Sequence, residues 1–216
     1  MPKVVSEKEF RKAVAALRKK EKKNSRERDK VAALRRRLPM MEMRNDYVFE
    51  TDSGFKTLLD LFEGRKQLIV YHFMYHPAKD TFCVGCSFVG DHIPHLAHVQ
   101  ARNTSFVMCS HAPLKSIKRH KKRMGYKQPW VSSLGSSFNK DLAIDGNSHH
   151  ELSVFIRDGK KVYRTYYTEA RGVEYIGTPF ALLDLTPWGR QEKWEESPKG
   201  WPQTEMYSWW RFHDQY

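Results

Sequence analysis

Gln67-Leu68-Ile69-Val70-Tyr71-His72-Phe73-Met74, followed a few residues later by Cys83-Val84-Gly85-Cys86, is the stretch on which the fold turns. The first run is almost continuously apolar, β-branched and aromatic, the composition of a central strand buried on both faces. The two cysteines come next, and a helical pattern follows them. A thiol at the start of a helix sits beside unpaired backbone N–H groups and the positive end of the helix dipole, which favour the thiolate. Cys83 is therefore the candidate nucleophile and Cys86 its resolving partner. Residues 66–101 read as strand, dithiol loop and helix, with residues 88–101 helical and Pro94 as a kink.

Outward from there, strand and helix alternate. Residues 104–109 read as a strand, Pro113 opens a helix that ends near Gly125, and residues 130–132 are extended. Residues 152–157 and 161–166 flank Asp158-Gly159-Lys160, a hairpin signature. A further helix is expected over residues 173–182, with Pro179 as its weak point. The order predicts an α/β architecture, a mixed sheet covered by helices. Upstream, residues 47–49 and Asp52-Ser53-Gly54 read as a strand and turn. Residues 5–37 contain neither Gly nor Pro, with apolar side chains at helical spacing and Ser6 and Glu9 as a capping box. Three segments follow: a basic helical segment over residues 1–44, the α/β domain over 45–190, and an irregular aromatic strap over 191–216.

The formal net charge is +13, and roughly three quarters of the excess lies before Pro39. Those charges lack the interleaved aromatic residues that would stack bases, which argues against a nucleic-acid partner and leaves a solvated helix face or a second subunit, as in a homodimer. No apolar run has the length to cross a bilayer, and the first residues lack the apolar stretch of a secretory signal; a cytoplasmic protein without a membrane partner is expected. With three cysteines, Cys83, Cys86 and Cys109, no disulfide framework is available. The close pair reads as redox-active or metal-binding, and Cys109, ending a strand, as a packed, inert thiol.

A Cys-x-x-Cys pair is also half of a zinc site, and no second pair completes it. Histidines cluster nearby in sequence: His72, His76, His92, His95 and His98. His72 lies inside the buried strand and reads as a core or supporting residue, whereas His76 belongs to the loop bordering the dithiol.

Together these segments resemble the thioredoxin-like DUF899 family, whose members are expected to be dithiol-disulfide oxidoreductases. The resemblance rests on Tyr71-His72-Phe73-Met74, Cys83-x-x-Cys86-Ser87, Ala112-Pro113-Leu114, Lys121-Lys122-Arg123-Met124-Gly125, Trp130-Val131-Ser132-Ser133, Ala170-Arg171-Gly172 and residues 183–190, and covers nearly the whole chain. It implies a thioredoxin-like fold. Thioredoxins place a proline opposite the dithiol, where it guides substrate and keeps metals away. Counting back from Gly159, that position is about Glu151, within His149-His150-Glu151. Imidazole and carboxylate groups would then face the cysteines, and Cys83, Cys86, His76, His149, His150 and Glu151 form a candidate ligand set for copper first, then zinc or iron. Peroxiredoxins carry Pro-x-x-x-Thr-x-x-Cys. Here Pro77, Thr81 and Cys83 are one residue short of it, which disfavours a peroxidase of that type.

The leading expectation is a thiol-disulfide oxidoreductase that needs no cofactor, takes a thiol, disulfide or small-molecule substrate, and contacts it through Arg171 and Tyr75. A metal-dependent oxidoreductase or metal-binding protein is the alternative. A non-enzymatic binding module is the third reading.

Overall fold

The computed structural model describes residues 2–216. They form two compact units, the first ending at Pro39 and the second spanning Met40–Tyr216. The first unit is one helix, α1 (Glu7–Arg35), started by the expected capping box: the Ser6 hydroxyl accepts from the Glu9 N–H and the Glu9 carboxylate accepts from the Ser6 N–H. Ion pairs Arg11–Glu7 and Lys30–Glu27 lie one turn apart along it. Within this unit no second element packs against α1, and none of its residues is buried.

The second unit runs β1 (Met41–Met43), β2 (Val48–Thr51), β3 (Gly54–Thr57), β4 (Gln67–His72), β5 (Tyr75–His76), β6 (Thr81–Phe82), α2 (Val84–Asp91), α3 (Ala97–Gln100), β7 (Thr104–Ser110), α4 (Leu114–Arg123), β8 (Trp130–Ser132), α5 (Phe138–Asp141), β9 (Glu151–Asp158), β10 (Lys161–Glu169) and α6 (Thr178–Leu183). Eight strands form one sheet in the order β1-β10-β9-β4-β7-β8-β2-β3. β4 is central, parallel to β7 on one side and antiparallel to β9 on the other. β8 is parallel to β7, and β9 and β10 form the hairpin anticipated at Gly159. A central strand leading into a dithiol helix, a parallel neighbour, and an antiparallel hairpin on the other side make this a thioredoxin-like α/β fold.

Alternation along the strands creates two cores. Tyr71, Phe106, Met108 and Trp130 face α2 and α4, while Leu68, Val70, Val107, Cys109 and Phe155 face Phe49, Phe62 and Phe138. Their contiguous strands bury both faces, as the apolar runs predict.

Two expected helices are broken rather than continuous. Instead of running through a kink at Pro94, the dithiol helix ends at Asp91 and helix resumes only at Ala97; proline supplies no N–H and disfavours helix in the residue before it. Residues 170–176 form a 3-10 turn, and helix begins again at Thr178 after Gly177. Strand β1, not anticipated, lies antiparallel on the edge of β10. The aromatic strap has no strand or α-helix, and it belongs to the same compact unit as the sheet. It is tied down by the fully buried Glu192 carboxylate, which accepts from Trp194 Nε1 (2.6 Å), Trp209 Nε1 (2.9 Å) and the Tyr207 N–H (2.7 Å). Among the described residues no helix is long and apolar enough to cross a membrane.

Candidate active site

Cys83 is the N-cap of α2, and its Sγ accepts the Cys86 N–H at 3.4 Å, as a capping oxygen would. The small β5–β6 hairpin delivers it there. Asp80 takes a left-handed turn at φ 44°, Tyr75 and Phe82 pair, and the Cys83 N–H donates to the Met74 carbonyl. Cys83 is half-buried and Cys86 is only 1 % exposed. Hydrogen bonding from the Cys86 thiol, against the cost of burial and aided by the Cys86 and Gly85 N–H groups, lowers the Cys83 thiol to about 7. Burial, with the Cys83 sulfur alongside, pushes Cys86 well up. The pair is thus divided into an ionisable outer thiol and a protonated inner one.

Three polar residues lie close behind the pair: Tyr71 from β4, Ser87 from α2 itself and His120 from α4. Tyr71 is fully buried, and its hydroxyl finds no oxygen or nitrogen partner among the described residues and faces the Cys86 thiol. Ser87 donates to the Cys83 carbonyl and sits 3.0 Å from His120 Nε2. Burial lowers His120 to about 4, so its ring is neutral and can only share one proton with Ser87. Neither Tyr71 nor His120 was singled out from the sequence. Tyr71 lies in the buried run one residue before His72 and could have been found by alternation; His120, in a basic helix, gives no such signal.

The dithiol opens into a cavity of about 870 Å³. Its apolar walls include Phe82, Val89, Val173 and Phe180, and the strap supplies Tyr207, Trp210 and Phe212. Trp210 lies stacked between Phe88 and Tyr207, with ring centroids 5.2 and 4.0 Å away. A Cβ on Gly85 would come within 2.5 Å of Trp210, so the glycine between the cysteines is what lets the strap approach the dithiol.

His76, His150 and Arg171 line this cavity. Arg171 stacks over the Trp194 ring at 4.2 Å, with its Nε 3.2 Å from Glu174. Burial raises the Glu174 carboxyl, but hydrogen bonds from Tyr207 and Arg190 and the charge of Arg171 hold it below its ordinary value.

The remaining anticipated residues lie elsewhere. Tyr75 is buried in the core and donates to Asp80 Oδ1 at 2.8 Å instead of meeting the cavity. Glu151 is the first residue of β9, in register with His72, and both point to the far face of the sheet. There Glu151 pairs with Arg164 and accepts from Ser153. His149 turns to Glu169. The count back from the hairpin reaches the start of β9, but successive strand residues alternate faces, and Glu151 lies on the far one. Consequently the six-residue ligand set is not assembled. Among the described residues no three His, Cys, Asp or Glu side chains converge as a metal site. Cys109 is sealed in the second core, where burial raises its thiol to about 12. His92, the C-cap of α2, hydrogen-bonds the Phe88 carbonyl, while the His95 ring accepts from the Ala97 N–H.

Among solved structures, the chain is similar to a cysteine-to-serine mutant of PrxQ from Xylella fastidiosa, with TM-score 0.45 and 14 % identity over 67 % of this chain and 96 % of that one. No curated protein matches the sequence. The family model described as bacterial protein of unknown function (DUF899) matches residues 1–216 from end to end, and the chain belongs to that family.

Proposed function

We propose that the protein is a thiol-disulfide oxidoreductase working through Cys83 and Cys86. The observation that supports this most is the division of the pair: an outer thiol at a helix N-cap, lowered toward neutrality and facing a cavity, beside a buried, protonated inner thiol. Near pH 7 a substantial fraction of Cys83 is thiolate. It attacks one sulfur of a substrate disulfide, that S–S bond breaks, and the departing thiolate takes the Cys86 proton. Cys86 then attacks Cys83 Sγ, releasing the second substrate sulfur as a thiolate that solvent protonates. Two electrons have passed to the substrate, and an external dithiol restores the protein. The Tyr71 hydroxyl, facing Cys86, can donate to that sulfur while it is a thiolate.

The test combines alkylation and turnover. Iodoacetamide should modify Cys83 with a pH midpoint near 7, well below an ordinary thiol. Cys83→Ser should abolish disulfide reduction by about 10³-fold or more, and Cys86→Ser should trap a mixed disulfide on Cys83. A Cys83→Ser variant that still reduces disulfides at the wild-type rate overturns the proposal. Metal analysis of untagged protein addresses the alternative: stoichiometric copper, zinc or iron that disappears with Cys83→Ser would favour a metal centre built on the same cysteine.

A further inference from the structure

We infer that the cavity over the dithiol selects a small molecule with an apolar body and an anionic group, so that the disulfide presented to Cys83 is carried by such a compound and not by a protein. This rests on the dithiol reading above.

Three observations carry it. The cavity, about 870 Å³, has the size of a small-molecule pocket rather than of an open groove for a polypeptide. Its interior is walled by Phe82, Val89 and Val173 and by strap residues Trp210 and Phe212, so a group too bulky for this recess reaches Cys83 only by displacing the strap. The strap is anchored against that by the buried Glu192 and its three N–H donors.

The charges at the opening select a sign. Lys79 and Arg171, both exposed, line the cavity where it meets solvent, and the half-buried His76 and His150 join them. Among the described residues the one carboxylate in the lining, Glu174, is held by Arg190 and Tyr207 as well as by Arg171, and Arg190 also holds Asp184. Those two arginines and two carboxylates balance, Lys79 leaves the rim net positive, and an anionic group there gains attraction while the apolar body is buried beside the thiol.

The chemistry is the exchange already described. With a cyclic disulfide, attack by Cys83 opens the ring and its freed sulfur takes the Cys86 proton. Attack by Cys86 on Cys83 Sγ then releases the substrate as a dithiol, its second sulfur protonated by solvent, with two electrons transferred.

Lipoate and lipoamide test this directly, because they share one apolar cyclic disulfide and differ in whether its tail is anionic. Initial rates are measured with dithiothreitol as reductant, beside glutathione disulfide as a polar substrate and insulin as a protein disulfide. Lipoate should have a kcat/KM roughly tenfold above glutathione disulfide and insulin. Lys79→Glu and Arg171→Glu should each lower the lipoate-to-lipoamide ratio about fivefold. Lys79 is an exposed side chain, so its variant remains informative if the Arg171 variant folds poorly. Insulin reduced as fast as lipoate, or a lipoate-to-lipoamide ratio that neither variant moves, overturns the inference.

Binding separates this result from failure of the dithiol reading. In Cys83→Ser protein, lipoate should displace 8-anilinonaphthalene-1-sulfonate from the cavity, read as loss of its fluorescence. Displacement without reduction of any disulfide by the wild type would refute the redox reading and keep the ligand class. Absence of displacement refutes the ligand class even where insulin is reduced.

Discussion

Tyr71 and His72 are neighbours on β4 and point to opposite faces of the sheet, and the surroundings they meet differ in kind. On the dithiol face Tyr71 is buried beside Cys86 and lines the cavity. On the far face His72 is 2 % exposed and stacked on Phe138, with no hydrogen-bond partner for either ring nitrogen among the described residues. Glu151 beside it, also 2 % exposed, is compensated by Arg164 and Ser153. Under the proposed dithiol function, polar groups of the open face bear on thiol chemistry and those of the closed face on stability. Variants that act on only one face test this separation.

The largest effect is expected at the closed face. Arg164→Met leaves the Glu151 carboxylate buried without its cation, and breaking a buried pair by removing one partner costs about 3–5 kcal/mol. Urea unfolding should show that loss, while the alkylation midpoint of Cys83 stays where it was. A shifted Cys83 midpoint would mean that the two faces are electrostatically joined through the sheet.

The same face shows where sequence reading reaches its limit. The runs at residues 67–74 and 104–109 declare buried central strands through composition alone, and Gly159 fixes the hairpin. Cys83 and Cys86 are legible because their chemistry depends on a local strand-to-helix junction. Glu151 and His149 are not, because facing the dithiol depends on a single residue of register that composition does not encode. The strap is legible as an aromatic segment, but its contact with the dithiol joins Gly85 to Trp210 across more than half the chain. The one local hint is a glycine at a helix start, where a side chain would ordinarily be tolerated.

Acid should expose the cost of His72 next. Burial, with Arg164 and His149 as like-charged neighbours, lowers the ring to about 3, against 6.5 for its ordinary value. Above the ordinary value the ring is neutral both folded and unfolded, so its contribution does not vary with pH. As pH falls below that value the unfolded chain takes up a proton that the folded chain refuses, and stability is lost until the folded ring titrates near 3. By about pH 4 the loss from this group should be roughly 3 kcal/mol. His72→Leu, of similar volume and with no nitrogen to leave unpaired, should match or exceed wild-type stability at neutral pH and flatten the acid limb in denaturant titrations. An acid limb unchanged by the substitution would place the titration elsewhere, with His120 the next group to replace.

The smallest effect belongs to the open face and depends on the strap. Gly85→Ala places a methyl group within 2.5 Å of Trp210, whose ring is held by Phe88 and Tyr207 and cannot slide freely. Overpacking of this kind costs about 1–3 kcal/mol. The Cys86 and Gly85 N–H groups that help lower Cys83 remain in place, so its alkylation midpoint should hold while its alkylation rate rises as Trp210 is pushed off the cavity. A change in tryptophan emission should accompany the faster rate. Trp210→Ala provides the control. With the ring removed, the three closest contacts of the added methyl are gone, and Gly85→Ala should become neutral or stabilise by up to about 1 kcal/mol through helix propensity. If Gly85→Ala costs as much without Trp210 as with it, the glycine answers to a demand of the α2 backbone, and the strap's contact with the dithiol loses its claim to shape the open face.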